Sequence, residues 1–192
     1  HPLATREQPA THKHFMETLK ELLPDNCHPI IIADAGFKVP WHELVLSLGW
    51  DYVGRVRKPN YCKLEGEDNF QHIDEAFKKA TGTAKCYEGL LTISNQFETT
   101  FVLYNNPPKG RHKLTAEGDR CRSKHSEQHA KSGKEPWVLV TSLPQGSKLA
   151  KRVVKLYKSR MQIEEGYRDM KSSKFGLGFN QSKSYKIQRI EI

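Results

Sequence analysis

The chain lacks several features that would place it in a class at once. None of its four cysteines forms a Cys-x-x-Cys pair, so the sequence carries no strong zinc or redox signal. No stretch approaches the roughly 18 uncharged apolar residues that a membrane span needs. An initiating Met and a basic-then-apolar leader are absent too, so secretion is not indicated, and we expect the chain to be part of a longer one. These absences favour a cytoplasmic protein with no membrane partner.

Acidic residues are also scarce relative to basic ones. The sequence has 22 Asp and Glu against 31 Lys and Arg, a formal net charge of +9 over 192 residues. This balance favours a polyanionic partner, with nucleic acid preferred over a membrane surface. The length fits one domain with a large insertion.

The first 57 residues alternate between helical and strand patterns. Apolar residues at three- and four-residue spacing predict a helix over Thr11–Leu23, and Pro40 opens a second helix that Gly49 closes. The uninterrupted run Ile30–Ala33 predicts a strand buried on both faces, and Trp50–Val56 predicts the next strand. This order predicts an α/β unit with parallel pairing.

The pattern changes after Arg57, where short strand-like pieces are separated by polar runs. The predicted strands are Gly89–Ser94, Thr99–Tyr104 and Trp137–Thr141. Between the last two lies a basic loop, 109–134, with so few apolar residues that a ligand would have to order it. We therefore divide the chain into a core part at 1–57, a β-rich insertion at 58–141, and a helix with a basic tail at 142–192.

The basic loop also holds Cys121, His125 and His129 at four-residue spacing. A lone Cys/His trio lacks the fourth ligand of a structural zinc site, so we interpret this segment as a solvated loop.

The longest helical pattern runs from Gly146-Ser147 to about Lys171. Its apolar stripe comprises Leu149, Val153, Leu156, Ile163, Tyr167 and Met170. At about 100° per residue, four polar positions fall within an arc of about 60° at the margin of that stripe. They are Tyr157, Arg160, Glu164 and Lys171.

Asp34 supplies a second candidate for chemistry. It follows the predicted strand Ile30–Ala33 at its carboxyl end, where open α/β sheets place ligand-binding groups. A helix carboxylate such as Glu164 could meet it there and help to hold Mg²⁺. The plainer interpretations stay open: Asp34 as a turn residue, and the helix charges as a solvated surface.

The spacing Tyr157-x2-Arg160-x3-Glu164-x6-Lys171 resembles the Y-R-E-K signature of bacterial DDE transposases of the insertion-sequence-four family. The amino-acid sequence of the segment Leu156–Glu165 also resembles that family.

Three further blocks resemble the same family in the same order. Ile31–Phe37 resembles the segment of the second catalytic Asp, Tyr52–Arg55 resembles the next strand, and Trp137–Thr141 resembles the last strand of the β insertion. The resemblance implies a ribonuclease-H-like (retroviral-integrase-like) α/β core, partial and interrupted by that insertion.

The resemblance also implies residue roles and a reaction. Asp34 and Glu164 would be catalytic carboxylates that bind Mg²⁺ or Mn²⁺. DNA phosphates would be held by Tyr157, Arg160, Lys171 and Arg55, with Arg57 an alternative to the last. Trp137 would stack on a flipped base, or else be a core residue at a strand start.

One part of the family pattern is missing. The first catalytic Asp should precede Asp34 by more sequence than is present, and Asp25, the only earlier aspartate, falls in a predicted turn. We therefore expect an incomplete transposase, inactive by itself, that in full length would act as a nucleoid-associated homodimer on transposon ends and target DNA. The alternatives are a catalytically dead DNA-binding remnant, a metal-dependent nuclease of the same fold, or a basic domain whose charges serve solubility.

Overall fold

A computed structural model of the chain describes residues 9–105 and 135–171. In chain order the described elements are α1 (Pro9–Leu22), β1 (Ile30–Ala33), α2 (Val39–Ser47), β2 (Asp51–Val56), β3 (Tyr61–Leu64), β4 (Gln71–His72), α3 (Ile73–Lys79), β5 (Lys85–Leu91), β6 (Phe97–Tyr104), β7 (Trp137–Thr141) and α4 (Leu149–Lys171). The fold is therefore mixed α/β. The basic loop with Cys121, His125 and His129, and the tail after Lys171, lie outside the described residues.

All seven described strands join one mixed sheet in the order β1-β2-β7-β6-β5-β3-β4. Only β1 and β2 are parallel, and the other pairs are antiparallel. The strands of the proposed insertion thus continue the same sheet as the core strands. The boundaries at 57 and 141 stay a prediction. The chain divides into two compact units, His1–Val154 and Lys155–Ile192.

The β1–α2–β2 unit follows the sequence prediction closely. β1 covers the predicted residues, and its register sets Ile30 opposite Asp51 and Ala33 opposite Gly54. Helix α2 begins one residue before Pro40, whose fixed φ suits a first turn, and Gly49 at φ 77° turns the chain into β2. The prediction of a strand buried on both faces was wrong in part: the three isoleucines are half-buried, because in the described residues β1 pairs on one side only.

The proposed insertion was predicted less well. Strand β5 ends at Leu91, not at Ser94, and the backbone turns with positive φ at Thr92 (63°) and Gln96 (44°). β3, β4 and α3 were not predicted at all, because each is short and gains its place from pairing or packing with distant residues.

The main core lies between the sheet and helices α1, α2 and α3. Its fully buried members include Met16, Val45, Ile73, Phe101 and Leu103. Burying an apolar side chain of this size stabilises the fold by about 1.5–3 kcal/mol, so this layer helps to hold β2 in place within the sheet.

The apolar stripe of α4 is buried only at its start. Leu149 and Val153 are buried, whereas Ile163 and Tyr167 are about 60% exposed. The backbone N–H of Ala150 hydrogen-bonds the Cys86 thiol of β5. Cys86 lies opposite Val102, which the main core does not include, so the start of α4 lies on the second face of the sheet.

Candidate functional site

Asp34 directly follows β1 and begins a tight turn. Its Oδ1 accepts a hydrogen bond from the backbone N–H of Ala35 (2.8 Å), and its carbonyl accepts one from Phe37 N–H (3.1 Å). The residue is exposed. The turn residue predicted as the plainer interpretation is therefore present in the geometry, and it leaves the carboxylate at the carboxyl edge of the parallel strand pair.

Arg55 lies on the neighbouring strand at the same edge. Because Ala33 pairs with Gly54, Asp34 and Arg55 are the next residues along the two strands. The Nε and Nη2 atoms of Arg55 are buried and have no hydrogen-bond partner among the described residues. Burying such donors unpaired is unfavourable, so this guanidinium is suited to an anion that the described residues do not provide.

Arg57, the alternative to Arg55, has a protein partner. Its Nε and Nη2 both donate to Oε2 of Glu135, at 3.0 and 2.6 Å. The two side chains are about 30% exposed. No local pattern in the sequence indicates this pair, since 78 residues separate its members.

Trp137 opens β7 on the face that also carries Arg55. The registers set Tyr104 opposite Trp137 and Arg55 opposite Leu139, and side chains two residues apart on a strand share a face. Trp137 is 7% exposed. The centroids of its ring and the ring of Tyr104 lie 5.9 Å apart in an edge-to-face arrangement. The core position that sequence analysis left open is thus the one that the ring occupies in this structure.

Helix α4 carries the other four predicted residues on one continuous backbone from Leu149 to Lys171. Within the second unit, Tyr157 is buried, and the guanidinium carbon of Arg160 lies 5.8 Å from its ring centroid. This is a cation–π distance. Glu164 and Lys171 are in the helix, and their side chains lie outside the described part of the structure.

A polar network that sequence analysis did not anticipate lies at the opposite end of β2. Ser142 Oγ donates to Asp51 Oδ1 (2.8 Å) and accepts from Tyr52 N–H (3.0 Å). Thr141 Oγ1 donates to the carbonyl of Tyr52 (2.8 Å) and accepts from Leu143 N–H (3.2 Å). This network fastens β2 to β7.

His42 of α2 is a buried titratable group on the first face of the sheet. Its ring stacks on Tyr52 with centroids 4.5 Å apart, and a Cβ at Gly54 would lie 2.5 Å from its Cε1. Burial lowers the pKa of His42 to about 4 and raises that of Tyr52 to about 12. A cavity of about 180 Å³ beside His42 is lined also by Phe37, Val56 and Thr92.

The fit to a divalent cation can be tested on Asp34 alone. A carboxylate oxygen is a ligand that Mg²⁺ prefers. Within residues 9–105 and 135–171, no group of three His, Cys, Asp or Glu side chains could hold a metal ion. The described residues therefore hold no complete three-ligand set, and Asp34 is the one predicted metal ligand whose side chain they include.

Comparison with known proteins decides the family. A family model for the transposase DDE domain matches residues 3–192. The chain belongs to the DDE transposase family. Transposases of this family are enzymes that act on DNA, and their DDE domains generally use divalent metals. No curated protein matches the chain. No helix in the described part of this DDE domain is long and apolar enough to cross a membrane.

Proposed function

We propose that the chain is the catalytic-core part of a transposase of the insertion-sequence-four family, with a ribonuclease-H-like core. The observation that carries this proposal is the position of Asp34, exposed at the carboxyl edge of a parallel strand pair in a DDE transposase domain. The continuous helix from Leu149 to Lys171 supports the Y-R-E-K assignment, because the assignment requires all four residues on one helix.

Asp34 and Glu164 would hold Mg²⁺ or Mn²⁺. When bound, the divalent ions supply activation of water or a 3′-hydroxyl and stabilisation of the leaving oxygen in phosphodiester attack. Asp34 is oriented for this role by its own turn, since the Ala35 N–H fixes one of its two oxygens.

Arg55, Tyr157, Arg160 and Lys171 would bind phosphates at the transposon end. For the strand residue we choose Arg55 over Arg57. The buried donors of Arg55 have no partner among the described residues, whereas Arg57 already has Glu135. A guanidinium gains most from a phosphate when it gives up no protein partner to bind it.

Trp137 would stack on a base displaced at the transposon end. Its ring is 7% exposed beside Tyr104, so stacking requires one of the two rings to move. Base stacking on an aromatic ring is worth roughly 1–3 kcal/mol, and this gain would offset the cost of such a side-chain movement.

We further propose that the chain is inactive alone, because it lacks the first Asp. Asp25 precedes β1 and Asp34 follows it, so a four-residue strand separates them, a span of about 13 Å. Paired metal ions lie about 4 Å apart, so these two acids cannot share them. The single-sided pairing of β1 in the described residues is consistent with a further strand in the complete sheet.

With that strand and the first Asp in place, the full-length protein would cut and join DNA as a homodimer in the bacterial nucleoid. The net charge of +9 on the 192-residue chain supports the DNA partner.

Mn²⁺ titration of the chain tests the metal role. We expect Asp34→Asn to weaken Mn²⁺ binding by at least about tenfold, since it removes a charged ligand. Asp25→Asn is the matched control, because that aspartate lies at the other end of β1, and it should bind Mn²⁺ like the unaltered chain. Equal losses in both variants would contradict the assignment.

A cleavage assay on labelled transposon-end DNA tests the proposed inactivity. No metal-dependent product is expected from the chain, although it should bind DNA with an affinity that falls as salt rises. Cleavage that disappears in Glu164→Ala would overturn the claim of inactivity, and joining to a supercoiled target would then distinguish a transposase from a nuclease.

A further inference from the structure

The ion pair between Arg57 and Glu135 lies at the end of the two strands β2 and β7, next to Trp137, the proposed stacking residue. Arg57 follows the last residue of β2, and Val56 of β2 is opposite Val138 of β7. Glu135 is two residues before Trp137, the first residue of β7. The pair therefore joins the two strands immediately outside the ladder that holds Trp137.

The link from Glu135 to Trp137 is stiff. Pro136 lies between them, and its ring fixes its own φ and restricts Glu135 to extended conformations. Two hydrogen bonds from one guanidinium to one carboxylate oxygen set the position of Glu135. Because this connection has few free torsions, the position of Glu135 largely determines where the backbone of Trp137 begins.

The ring of Trp137 needs such control. Its plane makes an angle of 64° with the ring of Tyr104, the last residue of β6, and it is 7% exposed, so a face becomes available for stacking only if one of the two rings moves. A start of β7 that moved would spread the ring over several orientations, and binding would then lose free energy in ordering it.

We infer that Arg57 and Glu135 form a positioning pair that sets Trp137 for stacking on a DNA base. Arg57 acts through Glu135 and is not itself a phosphate ligand. This inference rests on the proposed function, since it takes the stacking role of Trp137 from there.

Because Arg57 and Glu135 carry opposite charges, substitutions of each residue distinguish a positioning role of Arg57 from direct phosphate binding by Arg57. The probe is a DNA duplex with one unpaired 2-aminopurine, whose fluorescence is quenched when it stacks on an indole. Arg57→Gln and Glu135→Gln should each weaken the quenching interaction by about fivefold, which corresponds to about 1 kcal/mol. The exchanged pair, Arg57→Glu with Glu135→Arg, should recover part of the loss.

If Arg57 were a phosphate ligand, the effect of Glu135→Gln on binding of the probe would be in the opposite direction. Glu135→Gln would then strengthen binding by freeing a cation, and the exchanged pair would recover nothing. Either result overturns the inference. Lys78→Gln is the matched control for loss of one positive charge, since Lys78 pairs with Glu75 on α3.

Labelling with 5-fluorotryptophan separates positioning from a general loss of structure. The ¹⁹F resonance of Trp137, assigned with Trp137→Phe, should shift or broaden in both glutamine variants. The resonances of Trp41 and Trp50, which lie in the main core, should not move. If all three resonances move, the exchanged pair, Arg57→Glu with Glu135→Arg, replaces the glutamine variants, and a Trp137 resonance that stays displaced while those of Trp41 and Trp50 recover would contradict the inference.

The failure of the inference can be told apart from failure of the proposed function. If Trp137→Ala abolishes quenching but the variants of Arg57 and Glu135 keep it, the stacking role stands and the positioning pair does not. If the unaltered chain does not quench the probe, the stacking role itself is wrong.

Discussion

The two ends of β2 differ in whether their polar side chains have hydrogen-bond partners. At the amino-terminal end, the side chains of Asp51, Thr141 and Ser142 are joined to each other or to backbone groups by hydrogen bonds of 2.8–3.2 Å. At the carboxyl end, Arg57 is paired with Glu135, but buried donors of Arg55 have no partner among the described residues. Satisfied buried polar groups stabilise a fold, and unsatisfied ones are retained where a ligand is to be bound. The difference therefore assigns stability to one end and binding to the other.

His42 lies between the two ends and gives the largest expected effect. Its ring contacts Tyr52 and closely approaches Gly54, and burial lowers its pKa from 6.5 to about 4. The unfolded chain therefore binds a proton more readily than the folded chain between those pH values. Stability should fall as the pH drops below 6.5 and level off below about 4, with a total loss from this residue of about 3 kcal/mol.

Urea unfolding at pH 7, 6 and 5 measures this loss against His42→Phe. Phenylalanine keeps a ring to stack on Tyr52 but cannot take up a proton, so the variant should lose less stability on acidification. Other titrating groups are common to both proteins and cancel in the difference. Parallel pH profiles would show that His42 is not buried as a neutral ring.

Thr141 and Thr92 allow a direct comparison between a buried hydroxyl that is hydrogen-bonded and one that has no partner among the described residues. Thr141 Oγ1 makes two hydrogen bonds that Thr141→Val would remove, and we expect the free energy of unfolding to fall by about 2 kcal/mol. Thr92 Oγ1 is buried without a partner among the described residues, so Thr92→Val should leave stability nearly unchanged. Chemical denaturation of both variants checks the pair, and equal losses would remove the distinction between satisfied and unsatisfied sites.

How much of this could be read from the sequence depends on how local each signal is. Asp34 and β1 were placed correctly because an apolar run ended by Asp-Ala-Gly is a signal within seven residues. Helix α4 was found from its periodicity, although the burial of its stripe was overestimated beyond Val153, since periodicity does not say where a packing partner ends.

The remaining features depend on contacts between distant residues. The choice between Arg55 and Arg57 stayed open in the sequence because Glu135, 78 residues away, is what distinguishes them. The network of Asp51 with Ser142 spans 91 residues, and neither residue belongs to a motif. Long-range polar pairing is set by strand register, which local patterns do not specify.

Arg55 provides the smallest expected effect and the most direct test of the binding end. Arg55→Met replaces a buried guanidinium that lacks partners among the described residues with an apolar side chain of adaptable shape, so stability should rise by about 1 kcal/mol. The same change should weaken DNA binding and lower the salt dependence of log K by about 0.9, the contribution of one phosphate contact. Denaturation and fluorescence anisotropy over a salt series measure the two quantities on one protein. A gain in stability with a loss of DNA affinity is what a side chain kept for binding requires, whereas a loss in both would mean that Arg55 serves the fold, and the contrast between the two ends of β2 would then fail.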